Sequence, residues 1–166
     1  MTRTEFESLY TSLAPRLRSF IARQIGNPET AADLLQDTFL RLLRSPSVEV
    51  RTGQEITAYL YRTAHSVIVD HVRRERRARA WSFLMIRPSP AAPVRSSTSA
   101  FDQVFRSLTP RERTLLWLAY VEEMSHVEIA GIIDVGERSV KVLLFRARKR
   151  LAAGLKEKGF ASEVFA

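Results

Sequence analysis

Eight basic side chains near the end of this 166-residue chain carry its clearest chemistry. From Arg138 to Lys158 there are eight Lys or Arg against a single Glu, and this run follows a helix-turn-helix pattern. The pattern starts at Leu108, in LTPRERTLLWLAYVEEMSHVEIAGIIDVGERSVKVLLFRARKRL. Thr109, Pro110 and Glu112 spell a helix start: a capping hydroxyl, a proline suited to the first turn, and a carboxylate that bonds back to the cap. Ser125 and Glu128 repeat the device, predicting a short helix from His126 to Ile133. A break at Asp134-Val135-Gly136 and a third helix from Glu137 follow. Asp134 tolerates the left-handed conformation that such a turn needs, while Gly136 is a weaker cap than serine or threonine. Helices joined by so short a turn cross steeply, so the second can project into a DNA groove. Ile129, Ala130, Ile133, Val135, Val140 and Leu143 are the expected buried positions. Basic charge alone would equally describe a solvated face; together with the turn pattern it points to DNA.

A second basic cluster lies upstream. Arg62, Arg73, Arg74, Arg76, Arg77 and Arg79 decorate one predicted helix, and RRERRAR holds five arginines in seven residues. Guanidinium forks suit phosphate oxygens. Tyr59 and Tyr61 on the same helix offer aromatic faces that could stack unpaired bases; the alternative is a half-buried core role, which is preferred for Tyr59. Asp33, Gln36 and Asp37 recur at helical spacing on another predicted helix, away from its leucines. A carboxylate patch repels DNA, so that face should meet solvent, the default, or a basic protein surface.

The elements that must position these groups are all helical. Phe6, Leu9, Tyr10, Leu13, Leu17, Phe20 and Ile21 form one stripe, which Pro15 is expected to kink or interrupt. Gly26 ends that helix, and Asn27 and Pro28 open the next, from about Pro28 to Arg44, burying Ala31, Leu34, Leu35, Thr38, Leu42 and Phe39. Ser45 to Gly53 reads as a loop. A long helix from about Gln54 to Ala80 turns Ile56, Leu60, Ala64, Val67, Ile68 and Val72 inward. RPSPAAPVRSSTS is rich in proline and serine and reads as an extended or mobile tether. The expected fold class is therefore all-α: two small helical domains, residues 1–81 and 101–166, joined by a flexible Pro/Ser linker over residues 82–100.

Composition narrows the function. The net charge of +8 and a pI near 10.6 favour a polyanionic partner. The segment MTRTEFESLY lacks the apolar run of a signal peptide, and Trp81 to Ile86 is far too short to span a bilayer, so a cytoplasmic location without membrane insertion is expected. The absence of cysteine rules out disulfides and thiolate sites, and His65, His71 and His126 lack metal-ligand spacing. No catalytic motif, metal or cofactor is expected.

These pieces resemble bacterial sigma factors of the extracytoplasmic-function (ECF) group. ADLLQDTFLRLLR resembles that family's core-polymerase-binding helix, AYLYRTAHSVIVDHVRRERR its minus-ten-recognition helix, and the segment from Leu108 its minus-thirty-five-binding domain. The resemblance implies that Asp33, Gln36 and Asp37 dock on the coiled coil of the largest subunit of core RNA polymerase. It implies minus-ten promoter contacts for Arg62, Arg73, Arg74 and Arg77, and base or phosphate contacts for Arg138, Lys141, Arg146 and Arg148. The Ser45–Gly53 loop corresponds to the one that captures a flipped base, although it lacks the usual aromatic. The resemblance alone adds an anti-sigma protein to the expected partners. Where the family usually carries polar or basic residues, this chain has Val142 and Leu143, and it has Phe145 in place of a polar or imidazole side chain. Two alternatives follow: a stand-alone helix-turn-helix regulator, or a sigma-like adaptor whose basic helix meets a protein. A packing role for Leu144 and part of the apolar run is the preferred reading of that feature.

Overall fold

The computed structural model describes residues 1–46, 52–85 and 99–160, and among these every regular element is a helix. Residues 86–98 of the tether region and most of the Ser45–Gly53 loop lie outside the described residues. The elements are α1 (Arg3–Ile25), α2 (Pro28–Leu43), α3 (Gly53–Leu84), α4 (Ala100–Ser107), α5 (Pro110–Tyr120), α6 (His126–Ile133) and α7 (Glu137–Glu157).

Local chemistry explains most of these limits. Capping boxes open α1 at Thr2 and Glu5, α3 at Thr52 and Glu55, α5 at Thr109 and Glu112, and α6 at Ser125 and Glu128. In each, the cap hydroxyl accepts a backbone N–H while the carboxylate returns to the cap's own N–H. Gly26 closes α1 at φ 75°, and the Asn27 side chain then caps α2 by accepting from the N–H groups of Glu29 and Thr30. Asp134 sits at φ 56°, ψ 60°, which ends α6 and sets the turn into α7.

Two sequence expectations are corrected and one element is added. Pro15 does not interrupt α1, which continues unbroken across it. Pro15 and Thr11, whose carbonyl loses its donor, are both exposed, so water can satisfy the freed group. The arginine helix α3 runs on to Leu84, past the expected end near Ala80. A separate short helix, α4, precedes the helix-turn-helix, with the Ser99 hydroxyl accepting from the Asp102 N–H as its cap.

Helices α1, α2 and α3 pack together as an N-terminal module, and α4 to α7 as a C-terminal one. The two modules also pack against each other: α3 meets α5 and α6, and α1 meets α4 and α5. One buried apolar cluster runs from Leu17, Phe20, Leu60 and Ile68 through Leu118 and Ile129 to Val140 and Leu144, crossing from module to module. A second cluster, including Val104, Phe105, Leu116, Ala147 and Leu151, stays within the C-terminal module.

Candidate nucleic-acid interface

Helix α7 carries the basic surface. Its buried stripe of Val140, Leu144, Ala147, Leu151 and Leu155 seats it on α4 to α6. Arg138, Lys141, Arg146 and Arg148 are thereby left exposed. Arg138, Lys141, Phe145 and Arg148 follow 3-4-3 spacing and share one face, with Arg146 on the adjoining row. Within the apolar run, Leu144 is buried and Leu143 partly so, whereas Val142 and Phe145 are each 48% exposed. Half of the run packs the helix, and half joins the basic face. Gly136 opens α7 without a side-chain cap bond.

On α3, Arg73, Arg74, Arg76, Arg77 and Arg79 are all exposed. Arg62 lies three turns before Arg73, about 16 Å along the axis, and it is engaged. Its guanidinium donates to the Gly131 carbonyl of α6 at 2.5 Å. That carbonyl belongs to the last turn of α6, where backbone acceptors lack intrahelical donors and a cation is favoured. A residue expected to meet DNA thus caps a helix of the other module. In the structure Tyr61 takes the core alternative. It is fully buried, packed edge-on against Phe20 at 5.4 Å, and unavailable to a base. Tyr59 is half-buried, with its hydroxyl donating to the Arg41 carbonyl at 3.3 Å. The exposed aromatic faces beside the arginines are instead Trp81 (64%) and Phe83 (88%).

On α2, Asp33 and Gln36 are exposed and Asp37 is half-buried. Asp37 pairs with Arg41 one turn on, at 3.0 Å. This acidic face lies opposite the buried residues Ala31, Leu34, Leu35, Thr38 and Leu42.

The seam between the modules holds polar residues that the sequence did not single out. Arg16 donates twice to the Glu122 carboxylate, at 3.0 and 2.5 Å, and Trp117 Nε1 donates to the same carboxylate at 3.0 Å. Burial alone would raise the Glu122 pKa, but polar contacts from Tyr61, Arg16 and Trp117 outweigh it and hold the carboxyl below its usual range. The Tyr61 hydroxyl faces this carboxylate without reaching hydrogen-bond geometry, and its own pKa is raised, by burial first and then by Glu122. Arg23 of α1 pairs with Asp102 of α4. Gln24 donates to the buried Thr114 hydroxyl at 3.2 Å, and His65 Nδ1 lies 2.9 Å from the same oxygen. Burial and the nearby Arg111 lower the His65 pKa to about 4. Arg113, buried in the C-terminal module, donates to the Arg106 carbonyl at 2.8 Å. Its pKa is lowered to about 10 by burial and by the positive charges of Arg106 and Arg76.

Comparison with known proteins matches this architecture twice along the chain. Residues 9–78 match the family model for Sigma-70 region 2, and residues 98–151 match that for Sigma-70 region 4. The chain is 28% identical over 155 residues to the ECF RNA polymerase sigma factor BldN of Streptomyces coelicolor. That match covers 89% of this chain but only 59% of BldN. It is 29% identical over 151 residues to the RNA polymerase sigma factor CarQ of Myxococcus xanthus, covering 88% of this chain and 86% of CarQ. The ECF RNA polymerase sigma factor SigM of Bacillus subtilis is 27% identical, with 92% and 94% covered. In fold, the chain superposes with a TM-score of 0.72 on the sigma factor RpoE of Bartonella quintana, solved in complex with the anti-sigma factor NepR. That pair is 22% identical, with 92% of this chain and 97% of RpoE covered. With regions 2 and 4 matched in order on an exposed arginine helix and a basic helix-turn-helix, the chain belongs to the sigma-70 family, in the ECF group of RNA polymerase sigma factors that direct promoter-specific transcription initiation.

Proposed function

We propose that residues 1–81 act as the unit that binds core polymerase and the minus-ten element, residues 82–100 as a linker, and residues 101–166 as the unit that binds the minus-thirty-five element. The acidic row of Asp33, Gln36 and Asp37 docks on a basic surface of the largest polymerase subunit. Arg138, Lys141, Arg146 and Arg148 hold duplex DNA upstream, and Arg62, Arg73, Arg74 and Arg77 meet the downstream element as its strands part. Trp81 and Phe83, exposed beside those arginines, offer stacking faces for unpaired bases, a contribution worth about 1–3 kcal/mol per base in comparable sites. The factor works in the cytoplasm, where core polymerase supplies the catalysis. An anti-sigma protein, as seen on the Bartonella relative, is a proposed third partner.

The observation that carries this reading is the segregation of charge. A carboxylate face on α2 and two arginine- and lysine-rich faces on α3 and α7 are separately exposed, in the order that regions 2 and 4 require. The packed arrangement adds a condition: Arg62 must leave Gly131 before it can reach DNA. Tethered modules of this kind gain effective concentration once polymerase fixes their separation.

The test is transcription by purified core polymerase with this protein on fragmented DNA from its own genome, with transcript starts sequenced. New starts that share two spaced upstream elements are expected. Asp33→Arg with Asp37→Arg should abolish core binding while the helical circular dichroism stays unchanged; normal core binding by this variant would refute the docking face. Arg138→Ala with Lys141→Ala separates DNA contact from the adaptor reading that the exposed Val142 and Phe145 motivate. Loss of promoter activity supports DNA contact, and unchanged activity supports the adaptor.

A further inference from the structure

Beneath the arginines of α7 lies a cavity of about 840 Å³, walled by α4, α5 and α7 and reached by one residue of α1, Arg23. This volume falls within the roughly 300–1,000 Å³ typical of small-molecule sites. Five of its twelve lining residues are aromatic: Phe101, Phe105, Trp117, Tyr120 and Phe145. Phe101 and Phe105 stack with their planes 13° apart on one side of the cavity. Trp117 is pinned by its bond to Glu122 and its contact with Phe20, so another wall is preformed. Three cations, Arg23, Arg148 and Lys149, also line the cavity, and no carboxylate does.

Those cations differ in availability. Arg23 is paired with Asp102, and Lys149 sits 4.8 Å over the Phe145 ring. Arg148 is exposed and has no ion-pair partner among the described residues. A neutral apolar occupant would leave Arg148 and Lys149 without a counter-charge, and a cationic one would be repelled by both. A single negative charge on a long apolar body answers both halves of the lining: rings for the body, Arg148 and Lys149 for the charge.

We propose that this cavity is a binding site for an amphipathic monoanion, such as a medium- or long-chain carboxylate. Its apolar body lies among the aromatic rings, and its carboxylate meets Arg148 and Lys149. Because the wall includes Arg23 of the N-terminal module, the occupant bridges the seam and favours the packed arrangement over the separated one by mass action. The site rests on the cavity itself rather than on the promoter-binding reading, and its test needs neither polymerase nor DNA.

The test is calorimetric titration of the full chain with sodium laurate, held below its micelle concentration, beside dodecyltrimethylammonium and dodecanol. Saturable one-to-one laurate binding is expected, at least tenfold tighter than either control. Tyr120→Glu places a negative charge at the exposed end of α5, and Ala152→Trp fills the cavity without altering charge. Each should weaken laurate at least tenfold while circular dichroism stays unchanged. The proposal is overturned if laurate does not saturate, if the cation binds equally well, or if both variants bind like the parent chain. It is likewise overturned if laurate fails where an acidic amphipathic peptide saturates the cavity, which would assign it to a protein partner.

Discussion

Acidification from pH 7.5 to pH 5 should weaken the packing of the two modules, and His65 should be the cause. The Thr114 hydroxyl accepts a proton from Gln24 and has one of its own, which it can give to His65 Nδ1, leaving the imidazole neutral. With the modules apart, His65 would titrate near the ordinary value of about 6.5; packed, its pKa is lowered to about 4. The packed state therefore binds fewer protons between those values. Its advantage is complete above pH 6.5 and is lost as pH falls from there towards 4. Linkage puts the loss at pH 5 at roughly 2 kcal/mol, a roughly 30-fold fall in the packed-to-separated ratio, with a limit of about 3 kcal/mol below pH 4. Glu122 works in a lower window. Its depressed pKa contributes stability above the usual carboxylate range and loses it only as pH drops through its own value. The chain has no cysteine, so Arg44→Cys with Lys158→Cys would carry a dye pair for energy transfer between modules. Transfer should change between pH 7.5 and 5 in the parent chain. It should stay flat in His65→Asn, which keeps an acceptor for Thr114 but does not titrate. An equal acid response in both proteins, or a His65 titration midpoint near 6.5 by NMR, would refute the reasoning.

Three further outcomes are expected. Glu122→Gln strips the charge that faces Arg16 and Trp117, and should weaken the seam by about 1–3 kcal/mol. The same dye pair would report this at neutral pH, whereas removing the exposed Arg3–Glu7 pair should cost under about 0.5 kcal/mol. Gly154→Ala would set a methyl 2.5 Å from Val104 Cγ1. Forcing α4 off α7 in this way should cost about 1–3 kcal/mol, visible as a lower melting temperature; an unchanged melt would mean that α4 yields freely. Arg138→Ala with Lys141→Ala should reduce the slope of log affinity against log salt on promoter duplex by about 2. An unchanged slope would take both residues off the phosphates.

Where a residue acts within a turn of its own position, the sequence was a sufficient guide. Thr109, Ser125 and Asn27 cap as read, α6 spans His126–Ile133 as read, and Asp134 adopts the left-handed turn its side chain tolerates. Each of these is decided by hydrogen bonds to groups two to four residues away. Arg16 and Glu122, 106 residues apart, carry no such local mark. Nor does Arg62, whose charge reads equally well as a phosphate contact and as a cap for α6. Tyr61 is ambiguous in the sequence for the same reason. Beside arginines it resembles a stacking face, and only the arrival of Phe20 from α1 encloses it. Pro15 shows the reverse error, since a rule about lost donors overstates the cost wherever water reaches the carbonyl.

The buried cluster that runs unbroken from one module into the other bears on how this protein can be handled. Phe20 is fully buried and has Trp117, from the other module, as a ring neighbour. Cutting the chain within its proline-rich tether would leave each half with a raw apolar flank. Such halves should self-associate during expression, and mixing them should restore solubility through a one-to-one heterodimer. The linker's ends mark a change in sequence character, but the seam behaves as interior.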